Sequence, residues 1–311
     1  MRKLSAAAIV AAAAFALVGC SDPDQTTSSS TASGEETTTS ASTVEAFDVS
    51  QIPTVDEIAA LVPAAVKERD VLRNGASTDY APGEFRGADG QTPVGYDVDL
   101  TRALAKVMGL SDGETTHAEF PTILPALGTK FDVGISSFTI TPERVEQVHM
   151  ISYVEVGSAY AVAAGNPSAF DPTNVCGSTI GVQNGTYQQE LAQTLSDECE
   201  AAGKEAISIM PHDLQSDIAT KVIGGQYDAT FADSTVIGYA VELSTGKLEQ
   251  VGDVIESEPQ GVAVAQADLE LATAVQAALQ YLMDEGYLKQ ILAAYGAEGA
   301  ALTTAELHSA K

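Results

Sequence analysis

Between Pro53 and Leu302 the apolar positions of this chain follow two alternating periods. Asp70-Val71-Leu72 reads as a strand entering a Gly/Ser-rich loop, and Phe131-Asp132-Val133-Gly134-Ile135 is a short apolar run of buried-strand type. Ser178-Thr179-Ile180-Gly181-Val182 and Tyr227 to Ala232 are two more such runs. Helical spacing appears in Leu100, Ala103, Leu104, Val107 and Met108, ending at Gly109, and again from Gln188 to Ala202. Leu271, Val275, Ala278, Leu279 and Leu282 form one face of a late helix, and Leu288, Ile291, Leu292 and Tyr295 form the next. Strands alternating with helices predict α/β layers with mainly parallel sheets, in which ligands bind beyond the C-terminal strand ends.

The pattern differs at the N-terminus. Arg2 and Lys3 precede an apolar run from Ala6 to Val18, too short to span a bilayer comfortably and flanked like a secretory signal. Leu17-Val18-Gly19-Cys20 resembles a bacterial lipobox. That resemblance implies a signal peptide at residues 1–19 and a lipid anchor on Cys20, and two or more acyl chains hold a protein stably on a membrane. From Ser21 to about Val44 the chain is mostly Ser and Thr, so residues 20–52 are expected to form a tether that buries too little surface to order itself.

Composition narrows the picture further. A formal charge of -28 argues against nucleic acid and against adhesion to anionic lipid by charge. Apart from Cys20 only Cys176 and Cys199 remain, and a pair in an exported chain favours a disulfide. The four histidines, His117, His149, His212 and His308, show no metal spacing. No phosphate-binding ATPase loop, nucleophile elbow or metal motif occurs, so no cofactor is expected.

Six segments then carry a resemblance. Tyr80-Ala81-Pro82-Gly83-Glu84-Phe85-Arg86 with Asp89-Gly90 and Gly95-Tyr96-Asp97-Val98-Asp99-Leu100 is the first, Ile123-Leu124-Pro125-Ala126-Leu127 the second and Phe131-Asp132-Val133 the third. Ser136-Ser137-Phe138-Thr139-Ile140-Thr141-Pro142-Glu143-Arg144, Gly181-Val182-Gln183-Asn184-Gly185-Thr186, and Gly286-Tyr287-Leu288-Lys289-Gln290-Ile291-Leu292 with Tyr295-Gly296 complete the series. In this order they resemble the bacterial extracellular solute-binding proteins of family 3, the polar amino acid binding components of ABC importers.

The resemblance implies a periplasmic-binding-protein-like type II fold: two α/β lobes joined by a two-stranded hinge, with a ligand cleft between them. Residues 53–156 plus 261–302 would build a discontinuous first lobe and 157–260 the second, with a C-terminal tail at 303–311. The crossing strands are expected near Glu155–Ser158 and Val254–Gly261. The implied partners are an amino acid, a membrane permease with a separate ATPase, and the membrane itself through the lipid. The implied location is the outer face of the cytoplasmic membrane.

An amino acid presents a carboxylate, an ammonium and a side chain. Arginine suits the carboxylate because its rigid fork makes parallel charge-assisted hydrogen bonds, and by resemblance Arg144 and Thr139 grip it with help from Ser137. Thr186 lies in a Gly-containing turn before a helix, where free N–H groups favour an anion and where it also suits an N-cap. Asp233 follows an apolar strand-like run and matches the ammonium-binding position. Tyr80 and Phe120 match the aromatic walls, Gln183 a position that reaches the side chain or the carboxylate, and Tyr187 replaces a smaller residue. The second lobe has no arginine, and its Lys204, Lys221 and Lys247 match no binding position, which disfavours an acidic ligand. Relatives that bind basic amino acids often carry Asp where this chain has Ser77, although Asp79 and Glu84 are nearby. A neutral side chain is the expectation. The rivals are a sensor lipoprotein of the same fold and a cyclohexadienyl-dehydratase-like enzyme.

Overall fold

A computed structural model describes residues 47–310; the expected signal segment, Cys20 and residues 21–46 lie outside the described residues. The strands are β1 (Val71–Ala76), β2 (Phe85–Arg86), β3 (Pro93–Val94), β4 (Asp112–His117), β5 (Val133–Gly134), β6 (Val148–Ala163), β7 (Thr179–Gln183), β8 (Ser208–His212), β9 (Ala229–Asp233), β10 (Leu248–Ala265) and β11 (Leu307–His308). The helices are α1 (Asp56–Leu61), α2 (Ala64–Arg69), α3 (Tyr96–Val107), α4 (Phe120–Ile123), α5 (Pro142–Gln147), α6 (Tyr187–Ala201), α7 (Gln215–Ile223), α8 (Ser234–Leu243), α9 (Leu269–Asp284) and α10 (Tyr287–Ala293).

One sheet runs β4-β1-β5-β10-β6-β9-β7-β8, with β11 on the side of β6 and a separate β2-β3 hairpin. Strand β1 pairs parallel with β4 and β5, and β7 pairs parallel with β8 and β9. Between these parallel groups β6 and β10 run antiparallel over 16 and 18 residues, much longer than any other strand. Periodicity did not reveal their length. Apolar residues occur on consecutive positions through β6, because both of its faces are covered, and β10 is interrupted by bulges between Val251 and Gly261.

Two main cores flank this crossing. Leu72, Leu104, Val133, Tyr153, Val156, Val262 and Leu279 belong to one, and Tyr160, Val162, Ile180, Val182 and Phe231 to the other. The core therefore changes lobes between Val156 and Tyr160 along β6. Local chemistry sets the helix starts. Thr141 caps α5, with Pro142 in its first turn, and Thr186 caps α6 by accepting from Gln189 N–H. Gly95, before α3, sits at φ +128, and any Cβ there would collide with the Gly83 carbonyl. Buried Asp132 ties α2 to the sheet, with Arg69 at 2.6 Å and Arg73 at 2.8 Å.

The folded body is longer at both ends than the expected span of Pro53 to Leu302. Ile52 is buried, Phe47 packs on Tyr287, and Phe47 N–H donates to Asp99, so residues 47–52 are part of the body and not tether. The segment 303–311, expected as a tail, buries Ala305 and pairs Leu307–His308 with β6. Apolar side chains isolated within polar sequence carry no periodic signal, so neither end was legible.

Cys176 and Cys199 form a disulfide that pins α6 to the segment before β7. Replacing both by Ser is expected to lower unfolding stability by about 3 kcal/mol in the chain-entropy picture, read from urea titration. An unchanged midpoint would mean that the second lobe's packing alone fixes this loop.

Candidate functional site

The eight residues singled out from the sequence, Tyr80, Phe120, Ser137, Thr139, Arg144, Gln183, Thr186 and Asp233, all line one cleft between the lobes. Tyr187 and Gln188 complete its wall, and the side chains enclose a space of about 10 Å³. Residues of both lobes enclose this space, so entry of a ligand requires the lobes to part. A larger apolar groove of about 550 Å³ lies between α7, α8 and residues 78–86, but it contains neither Arg144 nor Asp233.

Two buried charges dominate the cleft. Arg144, in the last turn of the short helix α5, is 7% exposed. Its guanidinium donates to Thr139 O at 2.8 Å and to Gly185 O at 3.1 Å, one carbonyl from each lobe, and lies 5.6 Å from the rings of Phe120 and Phe138. The arginine–carboxylate pairs among the described residues involve Arg69, Arg73 and Arg102 instead. Burial lowers the Arg144 pKa from its ordinary value. A guanidinium in this setting has three N–H donors to spare, and carbonyls compensate its charge only in part.

Asp233 ends β9 and is 3% exposed. It accepts from Gln188 Nε2 at 2.8 Å and from Gln260 Nε2 at 2.7 Å. Both partners are neutral amides, and burial pushes the carboxyl pKa up to about 6. Register places Asp233 opposite Ser158 of β6, whose Oγ accepts the second bond from Gln188 Nε2. The sequence reading missed Gln188 and Gln260. Gln188 lies two residues past the Thr186 cap, where its side chain turns back to the sheet. Gln260 belongs to a crossing strand whose extent was not legible.

The remaining wall joins the lobes. Tyr80 Oη accepts from Asp233 N–H at 3.1 Å across the cleft, and Phe120 stacks on Phe138 with centroids 4.5 Å apart. Ser137 sits at φ +52, and the Thr139 carbonyl is used by Arg144. Thr186 is occupied as the cap of α6, and its hydroxyl donates to Gln183 O. Gln183 Nε2 donates to Ser77 Oγ at 3.1 Å and to Asp213 O at 3.0 Å. A carbonyl only accepts, so Asp213 O fixes the amide's orientation, and among the described residues no donor reaches Oε1.

Outside the cleft a further contact crosses the lobes. Helix α7 has no cap from its own N-cap residue, Leu214. Asp79 supplies one from the other lobe, accepting from Ser216 N–H and Ser216 Oγ, each at 2.9 Å.

Two α/β lobes, closed by contacts of this kind over a polar cleft with opposite buried charges, define a hinge-closing binding protein. The comparisons identify which kind. The model of the bacterial extracellular solute-binding proteins, family 3, matches residues 72–298, and the chain belongs to that family. The arginine-binding protein ArgT of Corynebacterium glutamicum is 39% identical over 247 residues, covering 78% of this chain and 80% of that protein. An ancestral arginine-binding protein bound to arginine superposes with a TM-score of 0.66 at 29% identity, covering 73% of this chain and 99% of that one. An ancestral arginine-binding protein bound to glutamine gives 0.65 at 30% identity, covering 74% and 99%. The architecture is the two-lobed type II fold of periplasmic amino acid-binding proteins.

A helix cap contributes about 1 kcal/mol, and the one from Asp79 exists only when the lobes are together. Asp79→Ala is therefore expected to favour the parted form and raise the radius of gyration in small-angle scattering. An unchanged radius would mean that the cleft contacts alone hold the lobes.

Proposed function

We propose that this chain is the substrate-binding component of an ABC importer, carried on a lipidated Cys20 outside the cytoplasmic membrane. It captures an amino acid between its lobes and delivers it to a permease. The carrying observation is the pair of buried, oppositely charged groups in one cleft, Arg144 without a carboxylate partner and Asp233 held only by amides. A zwitterion answers both: its carboxylate takes the spare Arg144 donors, and its ammonium takes Asp233. In this reading Thr139, Ser137 and Thr186 line the backbone end, and Tyr80 and Phe120 flank the side chain.

The side-chain end favours a donor. With both Nε2 hydrogens of Gln183 engaged, its Oε1 accepts and repels a carboxylate, which argues against aspartate and glutamate as ligands. Arginine is the first reading. Its planar guanidinium stacks on aromatic rings, the chain's charge of -28 attracts a cation, and similar proteins are named for arginine binding. The neutral ligand expected from the sequence survives as glutamine. Among the described residues that line the cleft Asp233 is the only acid, and an ancestral arginine-binding protein is solved bound to glutamine. Capture without chemistry is part of the proposal, and the sensor reading shares every binding residue.

Protein refolded to remove carried ligand is to be melted with each of the twenty amino acids at about 1 mM. A micromolar ligand stabilises by roughly 4 kcal/mol at that concentration, a shift of several degrees. The largest shift is expected from arginine, a smaller one from glutamine and none from glutamate. Arg144→Ala and Asp233→Ala should abolish the shifts. No shift from any amino acid would overturn the zwitterion reading.

The pH dependence follows from Asp233. Ammonium binding needs its ionised form, and the carboxyl titrates at about 6. Affinity measured by calorimetry is expected to be flat above that pH and to fall about tenfold per unit below it. A profile still flat at pH 5 would remove Asp233 from the ammonium site.

A further inference from the structure

Behind the cleft lie two carboxyl groups that the binding reading does not use. Glu84, from the turn that leads into β2, and Asp97, from the first turn of α3, are both fully buried. Glu84 Oε1 accepts from Ser136 Oγ at 2.5 Å. Asp97 Oδ1 accepts from Tyr153 Oη at 2.6 Å, and its Oδ2 accepts from Ser137 N–H at 2.8 Å. Ser137 Oγ stands between the two acids, 3.3 Å from Glu84 Oε2 and 3.4 Å from Asp97 Oδ2.

All of these partners are neutral. The phenol of Tyr153 bonds Asp97 directly, and among the described residues no arginine, lysine or histidine forms an ion pair with either acid. Two adjacent carboxylates in such a site would carry two uncompensated charges, each costly and mutually repulsive. A single proton held between them removes one charge and the repulsion together. Burial and the neighbouring Asp97 also raise the Glu84 pKa well above the carboxylate range.

The pair holds backbone and hydroxyl groups that reach the cleft. Ser137 holds a left-handed backbone at φ +52, which a non-glycine residue keeps only when its surroundings impose it. Asp97 imposes it through the Ser137 N–H. Glu84 holds Ser136 Oγ, which in turn accepts from Ser77 N–H at 2.9 Å. Ser77 is the residue that receives Gln183 Nε2 from the other lobe. One buried pair thus anchors Ser137 at the backbone end of the ligand and Ser77 at its side-chain end.

We propose that Glu84 is a neutral carboxylic acid sharing its proton with Asp97, and that this acid pair positions Ser77, Ser136 and Ser137 for ligand capture. Glu84 and Asp97 are positioning residues, and the consequence for affinity rests on the amino acid reading above. The proton itself does not, so the test has two arms.

The first arm needs no ligand. The infrared spectrum of the ligand-free full-length protein at pH 7.5 is expected to show the carbonyl stretch of a protonated carboxylic acid, absent from Glu84→Gln. A spectrum without that band, or with a band that Glu84→Gln leaves in place, would overturn the shared proton. The second arm titrates L-arginine, with L-glutamine in parallel, by calorimetry. Glu84→Ala leaves Ser136 Oγ and Asp97 without their partner and is expected to lower affinity about tenfold or more. Glu84→Gln, which keeps a neutral acceptor for Ser136 and a donor for Asp97, should recover most of it. Equal losses in both variants would overturn the positioning role. If Glu84→Ala does not fold, Glu84→Gln against wild type still decides, since a tenfold loss there contradicts the proposal. Wild-type protein that binds neither amino acid would count against the binding reading, while the infrared arm judges the pair.

Discussion

The structure hangs on the antiparallel pairing of β6 with β10. Among the described residues these two strands are the only elements that serve both lobes, and their ladder passes beside the cleft. The first-lobe part of the ladder pairs β10 with β5, and the second-lobe part pairs β6 with β9. The crossing stretch is where β10 is bulged. Register shifts between Val251 and Gly261 leave fewer ladder bonds in that stretch, so it bends more readily than either lobe deforms. The crossing strands also build the site: Gln260 of β10 and Ser158 of β6 hold the carboxylate of Asp233 in place, one directly and one through Gln188.

Desolvated charge is the second organising feature. Arg144 and Asp233 lie in one cleft without forming a direct ion pair, and each is hydrogen-bonded by neutral groups. Direct pairing would occupy the donors and acceptors that a zwitterion needs. Carbonyls and amides hold the groups in orientation at partial compensation, and the remaining cost stays available to a ligand with the complementary charges. Burial pushes the Asp233 carboxyl up to about 6, the direction such a cost predicts. The acid pair behind the cleft poses the opposite problem, two carboxyl groups of one sign held among neutral hydrogen-bond partners.

Lobe contact is distributed over small polar links. Arg144 reaches Gly185 O, Tyr80 Oη receives Asp233 N–H, Gln183 reaches Ser77 Oγ, and Asp79 caps α7. Beside them Tyr80 packs on Val236 and Ile237 and Phe85 lies against Tyr239, so parting the lobes exchanges these polar links for water at modest net cost and exposes a small apolar contact. Such links suit a protein that must both close over its ligand and release it.

Much of this was legible in the chain. Helical and strand periods marked α3, α6, α9 and most of the short parallel strands, because each buries one face or one run of apolar residues. The order of six local motifs carried the family, and the eight cleft residues followed from matching positions. What the sequence did not show has a common physical cause. The full length of β6 and β10, the packing of residues 47–52 and 305–308, the amides of Gln188 and Gln260, and the partnership of Glu84 with Asp97 all depend on neighbours distant in the chain. A periodic pattern records which face of one element is covered, so local sequence determined the elements and the chemistry they carry. Which buried polar group meets which is decided by how the elements pack, and only the tertiary structure brought Arg144, Asp233 and their neutral partners into one cleft.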